Sequence, residues 1–201
     1  MQWNDRVLEQ LRERGVAVVP QWLSEVSVAQ LQVLYQELPF APARVGQAEN
    51  LSVRPELRGD STAWINHLSP PEQLVTPLAQ LEDLRVRCNR ELFLGLVDRE
   101  LHLAKYPAGA CYKTHRDRHE RSSRRVLSVI LYLNQDWLES DGGELVLYNS
   151  ELEEQQRVLP RGGTLVSFIS ADFPHEVLPA RRERRSLTGW LLEGGSDVSA
   201  V

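Results

Sequence analysis

Several features that would place the protein in a membrane, secreted or nucleic-acid-binding class are missing from its sequence. The 201 residues include only two cysteines, Cys88 and Cys111. These are too few for the disulfide framework of a small secreted protein, and we expect both to be reduced thiols. No apolar run is long enough to span a membrane, and the first residues lack the basic and then apolar layout of a signal peptide. The net charge of −5 gives no general attraction to nucleic acid or to an acidic membrane. We therefore expect a cytoplasmic globular protein.

The composition, with 42% hydrophobic and 25% charged residues, is ordinary for one globular domain.

The first part of the sequence has the apolar spacing of helices. Apolar spacing predicts a helix over residues 5–14 and a short buried strand over 16–19. A second helix is predicted from about residue 24 to 38, with Val33 among its inward side chains. Residues 39–57 are rich in Pro, Ala, Gly and Arg, and we expect a loop there.

The segment over residues 58–98 combines a turn with two further helical patterns. Asp60 follows a glycine in a dipeptide that is typical of turns, and Trp64 is expected in the core. Ser69 fits an N-cap that is followed by prolines, which predicts a helix to about residue 81. The apolar residues over 84–93 predict another helix.

From Glu100 onward the period changes from helical to two, which is typical of β-strands. Many short strands separated by Gly, Pro and Asp turns indicate a sandwich or a barrel. We predict an α+β fold, namely a double-stranded β-helix (jelly roll) with supporting N-terminal helices packed on one sheet. One structural domain would comprise a helical support region (1–98), the double-stranded β-helix core (99–194) and a C-terminal tail (195–201). The eight predicted strands cover residues 100–106, 111–117, 126–133, 144–148, 156–159, 163–169, 175–178 and 184–192.

Three residues of this core form a pattern that is typical of a metal site. His115 and Asp117 are two apart on one predicted strand and point to the same face, and His175 begins another strand. Two imidazoles and one carboxylate are the facial triad of non-haem Fe(II) oxygenases, which leaves coordination positions open. Zinc is an alternative metal, because zinc hydrolases also keep one position open for water. The other histidines are expected to lie outside the site: His67, His102 and His119.

The last predicted strand supplies a candidate site for an anion. Its alternation puts Arg184, Ser186, Thr188 and Trp190 on one side. An arginine and a serine side by side suit the far carboxylate of a dicarboxylate ligand. A zinc hydrolase would not explain this pair. A chelating 2-oxo acid would, because one end takes two metal positions and the far carboxylate needs a cationic partner.

Together the motifs resemble the 2-oxoglutarate- and Fe(II)-dependent dioxygenases, and in particular the prolyl 4-hydroxylase branch, which includes the hypoxia-inducible-factor prolyl hydroxylases and their bacterial homologues. The resemblance covers most of the chain from about residue 55 onward. It implies Fe(II) as the metal, 2-oxoglutarate and O2 as co-substrates, and ascorbate as an accessory reductant. The matching segments are Arg58-Gly-Asp60, Trp64-Ile65, Tyr106 to Tyr112, His115-x-Asp117, Ile130 to Trp137, Gly142-Gly143-Glu-Leu and His175 to Trp190.

The resemblance implies that His115, Asp117 and His175 bind Fe(II) and form the catalytic centre. Arg184, with Ser186 beside it, would pair with the distal carboxylate of 2-oxoglutarate. Arg185 is the rival of Arg184, because some relatives carry this arginine one residue later.

Further roles are implied for the co-substrate and for a peptide substrate. Tyr132 would donate its hydroxyl to the same distal carboxylate, and Tyr106 would lie near the metal-chelating end of 2-oxoglutarate. Arg125 and Trp190 would face the peptide, and Asp60 would orient Arg125.

The implied activity is hydroxylation of a prolyl residue at C4 in a protein substrate, with release of succinate and CO2. A bacterial translation factor is a candidate target by the same resemblance. The segment between Tyr106 and His115 is one residue shorter than in the animal enzymes, and the loop over 118–124 is short and basic. The substrate of the animal enzymes therefore cannot be assigned to this protein by resemblance alone.

Two alternative functions remain open. A nucleic-acid demethylase of the same superfamily could hold phosphates with the arginines over 121–125 and 181–185. The acidic net charge and the lack of a set of stacking aromatics near these arginines are unfavourable to it. The other alternative is a non-catalytic jelly-roll module that binds a metal or another ligand without turnover.

Overall fold

The structure, a computed structural model, describes residues 3–45, 52–118 and 124–194. Three features of the sequence predictions lie outside these ranges, namely His119, Arg121 and the tail over 195–201. The described ranges contain four α-helices: α1 (Trp3–Arg14), α2 (Glu25–Leu31), α3 (Leu34–Glu37) and α4 (Val75–Leu92).

The helix predicted over residues 24–38 is interrupted. Ser24 is the N-cap of α2, and its side chain accepts a hydrogen bond from the backbone N–H of Ser27. A two-residue turn separates α2 from α3, and its residues Gln32 and Val33 keep right-handed helical backbone angles. Val33, predicted to face inward, is 36% exposed, whereas Leu34 and Tyr35 are buried. Leu31, Leu34 and Tyr35 have the i, i+3, i+4 spacing of one helical face, and Val33 lies outside that face.

The two helices predicted between residues 69 and 93 form one continuous helix, α4, preceded by a short 3₁₀ turn over Glu72–Leu74. Pro77 is tolerated because it lies in the first turn, where the missing backbone N–H would have no partner in the helix. No breaker separates Leu81 from Leu84, and both are buried on the same face. The predicted start at Ser69 was therefore too early, and the predicted gap was wrong.

All eight predicted core strands are present, and three further short strands precede them. The longer sheet has the order β1-β9-β6-β11-β4-β3-β2, and the shorter sheet has the order β5-β10-β7-β8, with every neighbouring pair antiparallel. These two sheets confirm the predicted α+β double-stranded β-helix. The strands are β1 (Val16–Val19), β2 (Ala41–Pro42), β3 (Ser61–Trp64), β4 (Leu96–Tyr106), β5 (Tyr112–His115), β6 (Arg125–Tyr132), β7 (Leu145–Tyr148), β8 (Glu154–Val158), β9 (Leu165–Ile169), β10 (His175–Val177) and β11 (Arg184–Glu193).

The N-terminal region is not purely helical, because β1, β2 and β3 extend the longer sheet at both edges. The predicted boundary at residue 98 falls within β4, and β2 lies in the segment predicted as a loop. Trp64 ends β3 and is 59% exposed, so the prediction that it belongs to the core was wrong. A short edge strand of mixed polarity resembles a loop in sequence, because its strand character depends on the neighbour with which it pairs.

The longer sheet is covered on both faces. On β6, Leu127, Val129 and Leu131 pack into the same cluster as buried residues of α1, α2 and α4. The alternate residues Ile130 and Tyr132 pack with side chains of the shorter sheet. This arrangement explains why the strand reads as a nearly continuous apolar run. It also places the even-numbered side chains of β6 between the two sheets.

Two expectations from composition can be compared with the structure. Cys88 and Cys111 are both free thiols, as predicted. Within the described ranges, no helix has the length and apolar character needed to cross a membrane.

Candidate active site

The structure brings the side chains of His115, Asp117 and His175 together. His115 ends β5, His175 begins β10, and the two residues are directly paired in the antiparallel register of these strands. Asp117 lies just beyond the end of β5. Nε2 of His115 is 3.6 Å from Oδ1 of Asp117, and Nε2 of His175 is 3.6 Å from Oδ2. One ligand atom from each residue lies within 4.8 Å of the other two, so the three side chains form one cluster of metal-ligating groups.

Both imidazoles are held in the tautomer that metal binding requires. Nδ1 of His115 is 2.8 Å from the backbone carbonyl of Lys113, and Nδ1 of His175 is 3.0 Å from that of Phe173. A carbonyl oxygen only accepts, so each Nδ1 carries the hydrogen. Each Nε2 then keeps its lone pair, and the hydrogen bond at Nδ1 orients the ring.

The protonation states also suit a metal. Burial raises the pKa of Asp117, but the adjacent imidazoles of His175 and His115 and a hydrogen bond from Ser128 outweigh burial and hold this pKa well below its ordinary value. Burial lowers the pKa of His175 from 6.5 to about 4. At neutral pH the carboxylate is therefore ionised and the His175 ring is neutral, as metal coordination requires.

Arg184 is a buried cation that has no anionic partner among the residues that the structure describes. Its side chain is 2% exposed, and Nε donates to the carbonyl of Gly143 over 2.9 Å. Within the described ranges, Nη2 of Arg184 and the hydroxyl of the neighbouring Tyr132 have no hydrogen-bond partner. The guanidinium carbon lies 4.9 Å from the Tyr132 ring centroid. Burial raises the pKa of Tyr132 to about 12, although the charge of Arg184 opposes this rise. The Tyr132 hydroxyl is therefore protonated at neutral pH and can donate a hydrogen bond. Both groups are consequently available to a carboxylate ligand.

Arg185 points to the opposite face of β11. Its guanidinium forms an ion pair with Glu183 and donates to Oε1 of Gln32 over 2.6 Å. The same group stacks on the ring of Tyr35 at 4.8 Å. Arg185 is thus engaged outside the pocket, and the alternation of the strand leaves Arg184 as the arginine that faces the site.

The other predicted cofactor residues lie near Arg184. Tyr106 is paired with Arg184 across β4 and β11, and its ring centroid is 5.4 Å from the guanidinium carbon. Ser186 lies two residues further along β11, and its hydroxyl is 2.8 Å from that of Thr188. Tyr106, Arg184, Ser186 and the three triad residues all line one pocket between the sheets.

An aromatic group lines another part of the same pocket. The ring of His102 lies 4.8 Å from that of Trp64 and 5.7 Å from that of Trp190. The guanidinium of Arg125 lies 3.4 Å above the Trp190 ring and forms an ion pair with Glu100 at 3.2 Å. Trp190 and His102 line the pocket, and Arg125 covers Trp190.

The expected pairing of Asp60 with Arg125 was wrong. Asp60 is buried and forms a two-point ion pair with Arg58, with nitrogen-to-oxygen distances of 2.8 and 3.1 Å. Arg58 in turn stacks over the ring of Tyr112 at 4.7 Å. Asp60 therefore orients Arg58, a residue of the pocket lining.

Sequence reasoning missed several pocket residues. His102 was predicted to lie outside the site, yet it lines the pocket and is 1% exposed. Its position could have been predicted, because it has the same strand parity as Tyr106 on β4. Ser128 likewise has the parity of Tyr132 on β6 and lines the pocket. Arg58 gave no comparable signal, because its place depends on a contact with Tyr112 from another part of the chain.

We expect His102 to make the free energy of unfolding depend on pH below neutrality. Burial, assisted by the charge of Arg58, lowers the pKa of His102 from 6.5 to about 4. As the pH falls from 6.5 to 4, the unfolded chain takes up a proton that the folded protein excludes, so the free energy of unfolding decreases. One imidazole with this shift accounts for roughly 3 kcal/mol.

Urea unfolding of the metal-free protein at a series of pH values measures this effect. A His102→Phe variant keeps an aromatic ring beside Trp64 and Trp190 but does not titrate. We expect it to lose less stability than the wild type between pH 7 and pH 4. Identical pH profiles for the two proteins would contradict the assignment.

The donor set fits the cofactors of a 2-oxo-acid-dependent oxygenase. Two imidazoles and one carboxylate suit Fe(II), although zinc would accept the same ligands. The unpaired Nη2 of Arg184 and hydroxyl of Tyr132 distinguish the two cases. Both groups suit an anionic or accepting ligand such as the distal carboxylate of 2-oxoglutarate, and a zinc site alone would not explain why they are placed together.

Comparisons with known proteins agree with this geometry. The family model of the 2OG-Fe(II) oxygenase superfamily matches residues 101–192. The chain is similar to a prolyl-4-hydroxylase from Pseudomonas putida, with 38% identity, a TM-score of 0.83, and coverage of 96% of this chain and 100% of that one. It is also similar to a prolyl hydroxylase from Trichoplax adhaerens, solved in complex with a hypoxia inducible factor oxygen degradation domain peptide fragment. There the identity is 30%, the TM-score is 0.81, and the coverage is 94% of this chain and 89% of that one.

Curated relatives point the same way. The hypoxia-inducible factor prolyl hydroxylase of Caenorhabditis elegans and human Egl nine homolog 1 are each 26% identical to the protein over 94% of its length. The chain spans 28% of the nematode protein and 46% of the human one. With the Pseudomonas and Trichoplax structures matched over most of their lengths, the chain belongs to the 2OG-Fe(II) oxygenase superfamily and, within it, to the prolyl hydroxylase branch.

Proposed function

We propose that this protein is an Fe(II)- and 2-oxoglutarate-dependent dioxygenase that hydroxylates a prolyl residue of a protein substrate at C4. The observation that carries the proposal is that one pocket contains both a metal-ligand triad and a buried arginine, for which the described parts of the chain supply no anionic partner. The balanced reaction consumes 2-oxoglutarate, O2 and prolyl residue, and it yields succinate, CO2 and hydroxyprolyl residue.

His115, Asp117 and His175 would hold the iron. When bound, Fe(II) supplies the oxidising chemistry together with O2 and 2-oxoglutarate. The chain contributes a preorganised donor set, because the hydrogen bonds at Nδ1 of both histidines are already formed and leave both Nε2 atoms free. Asp117 provides the negative charge that balances part of the charge on the metal.

Arg184, Tyr132, Ser186 and Tyr106 would hold 2-oxoglutarate. The distal carboxylate would accept hydrogen bonds from Nη2 of Arg184 and from the Tyr132 hydroxyl, which are otherwise unpaired. Burial strengthens such a pair, because a low local dielectric favours the attraction once both charges are present. The co-substrate would then be oriented with its 2-oxo end toward the triad.

The prolyl residue of the substrate would be held by the aromatic part of the pocket. Trp190, stacked under Arg125, offers an apolar ring in the same pocket as the triad, and the exposed ring of Trp64 lies 6.5 Å from it. A pyrrolidine ring is apolar and suits such a surface. The Trichoplax relative was solved with a peptide, which supports a protein substrate here. A translation factor is the specific target that we propose to test first.

The nucleic-acid alternative has less support. Several arginines of the two basic segments are engaged by acidic residues: Arg185 with Glu183, Arg125 with Glu100 and Arg182 with Asp141. A phosphate would have to displace these carboxylates. The non-catalytic alternative leaves the unpaired atoms of Arg184 and Tyr132 unexplained unless 2-oxoglutarate binds without turnover. A cytoplasmic location and ascorbate as a reductant remain predictions within this proposal.

Succinate release tests the proposal. The purified protein, loaded with Fe(II) under anaerobic conditions, would be mixed with 2-oxoglutarate, O2 and proline-containing peptides, including segments of translation factors. We expect succinate to form in proportion to a peptide that gains one oxygen atom on proline, as measured by mass spectrometry. Succinate coupled instead to loss of a methyl group from nucleic acid would favour the demethylase, and binding of 2-oxoglutarate without turnover on any substrate would favour the non-catalytic module.

A further inference from the structure

We propose that Ser170 and Ser128 form a hydrogen-bond relay that positions the Asp117 carboxylate for metal binding. Ser128 and Ser170 are thus positioning residues that act through Asp117. The inference rests on the proposed function, because it assumes that Asp117 is a metal ligand. It goes beyond that function by assigning a role to two serines outside the ligand set.

The relay is continuous over three residues from different parts of the core. The Ser128 hydroxyl lies 2.7 Å from Oδ2 of Asp117 and 2.8 Å from the Ser170 hydroxyl. Ser128 lies on β6, and Ser170 follows β9, the neighbour of β6 in the longer sheet. The backbone N–H of Ser170 donates to the carbonyl of Val126 over 2.9 Å, which ties the end of the relay to β6.

The direction of the relay follows from the number of hydrogens available. An ionised carboxylate only accepts, so the contact with Asp117 must use the hydroxyl hydrogen of Ser128. A serine hydroxyl has a single hydrogen, so the contact between the two serines must use that of Ser170. The order is therefore Ser170 to Ser128 to Asp117, and each donor polarises the next.

Burial makes these hydroxyls dependent on one another. Ser128 is 1% exposed and Ser170 is 0% exposed. Ser128 interrupts the apolar run of β6, where a valine or an alanine would fit the pattern of its neighbours. A hydroxyl buried without a partner would be destabilising. Both serine hydroxyls are satisfied through the chain that ends on Asp117.

The relay would act on one oxygen of the carboxylate. Oδ2 accepts the bond from Ser128, whereas Oδ1 lies 3.6 Å from Nε2 of His115. The relay would thereby restrict rotation of the carboxylate and leave Oδ1 as its freer oxygen. Residues that orient a metal ligand typically change metal affinity by about 10- to 100-fold when they are removed.

The test compares metal affinities of four variants with that of the whole wild-type protein. Co(II) and Fe(II) would be titrated anaerobically in the absence of 2-oxoglutarate, and the dissociation constants read from absorbance and from competition. We expect Ser128→Ala to weaken binding about 10- to 100-fold. Ser128→Thr, which keeps the hydroxyl on a β-branched side chain suited to a strand, should recover most of the affinity. Ser170→Ala should have a smaller effect than Ser128→Ala, because the bond from Ser128 to Asp117 remains.

Ser167→Ala is the matched control. Ser167 is also fully buried on β9, but its hydroxyl donates to the backbone carbonyl of Ser128 over 2.9 Å and does not belong to the relay. We expect it to lower the urea midpoint without changing metal affinity. Equal losses of metal affinity in Ser167→Ala and Ser128→Ala would show that the effect comes from general packing of the core, and would overturn the inference.

Failure of the relay can be distinguished from failure of the proposed function. If the wild type binds metal in an Asp117-dependent manner and Ser128→Ala binds it equally well, the relay is wrong and the metal site stands. If the wild type binds neither Co(II) nor Fe(II), both proposals are wrong. Should Ser128→Ala fail to fold, Ser128→Thr and Ser170→Ala still decide the question, and unchanged affinity in Ser170→Ala would contradict a relay that includes this residue.

Discussion

Replacing Asp117 with alanine is expected to abolish turnover and to reduce Fe(II) affinity by more than about 100-fold. The expected loss is large because even residues that only orient a metal ligand change metal affinity by about 10- to 100-fold when they are removed. Asp117 is the one anionic member of the triad. The substitution would leave only the two imidazole ligands and remove the negative charge that favours binding of a divalent cation. Anaerobic metal titration and succinate release with a competent peptide measure the two effects separately.

Asp98→Ala is a suitable control for this substitution. Asp98 is an exposed carboxylate on β4, so its loss should leave both metal affinity and turnover unchanged. Wild-type metal affinity in Asp117→Ala would remove the basis for the proposed iron site.

Replacing Arg184 with alanine is expected to weaken 2-oxoglutarate binding about ten- to hundred-fold, because charge-assisted hydrogen bonds contribute roughly 1.5–3 kcal/mol. The physical reason is that Nη2 of Arg184 is buried without a partner and can bind the distal carboxylate. Metal affinity should be unaffected, since Arg184 is not among the ligands. Anaerobic calorimetry of 2-oxoglutarate binding to the metal-loaded protein measures this change.

Arg185→Ala is the matched control, because it removes the same charge from the adjacent position of the same strand. Arg185 is engaged by Glu183 and Gln32 on the opposite face, so we expect 2-oxoglutarate affinity to remain within about twofold of wild type. If Arg185→Ala lost the affinity and Arg184→Ala kept it, the assignment of the two arginines would be reversed.

The same unpaired cation predicts an effect on stability. Without 2-oxoglutarate, Arg184 is a buried charge with no carboxylate partner in the described ranges, and such a charge is destabilising. An Arg184→Met variant, of similar length and without charge, should therefore be at least as stable as wild type when no ligand is present. Saturating 2-oxoglutarate should raise the melting temperature of the metal-loaded wild type and leave that of Arg184→Met nearly unchanged.

The strands of the core were predicted well because their signal is local. Alternation and turn residues are read within a few positions, and the run over 126–133 is apolar because β6 is buried on both faces. The helices were less accurate at their boundaries. Val33 lies outside the helical face that buries Leu31 and Leu34, and α4 continued through a predicted gap that contained no breaker.

The sequence by itself determined the fold class, the His115-x-Asp117 and His175 triad as a candidate site, and the side of β11 that carries Arg184, Ser186 and Trp190. These follow from the kinds of residues present and from strand parity, which places side chains on one face regardless of what lies opposite. The inward face of Arg184 was predictable for this reason.

Only the tertiary structure decided which residues meet across the pocket. Asp60 pairs with Arg58 and not with the other candidate, Arg125. His102 lies beside Trp190, from a distant part of the chain. The relay from Ser170 through Ser128 to Asp117 likewise joins residues that are distant in sequence. Parity determines the face on which a side chain lies. Its partner, and hence its hydrogen bonds and charge balance, depends on strand order and register, which are set by the packing of the two sheets.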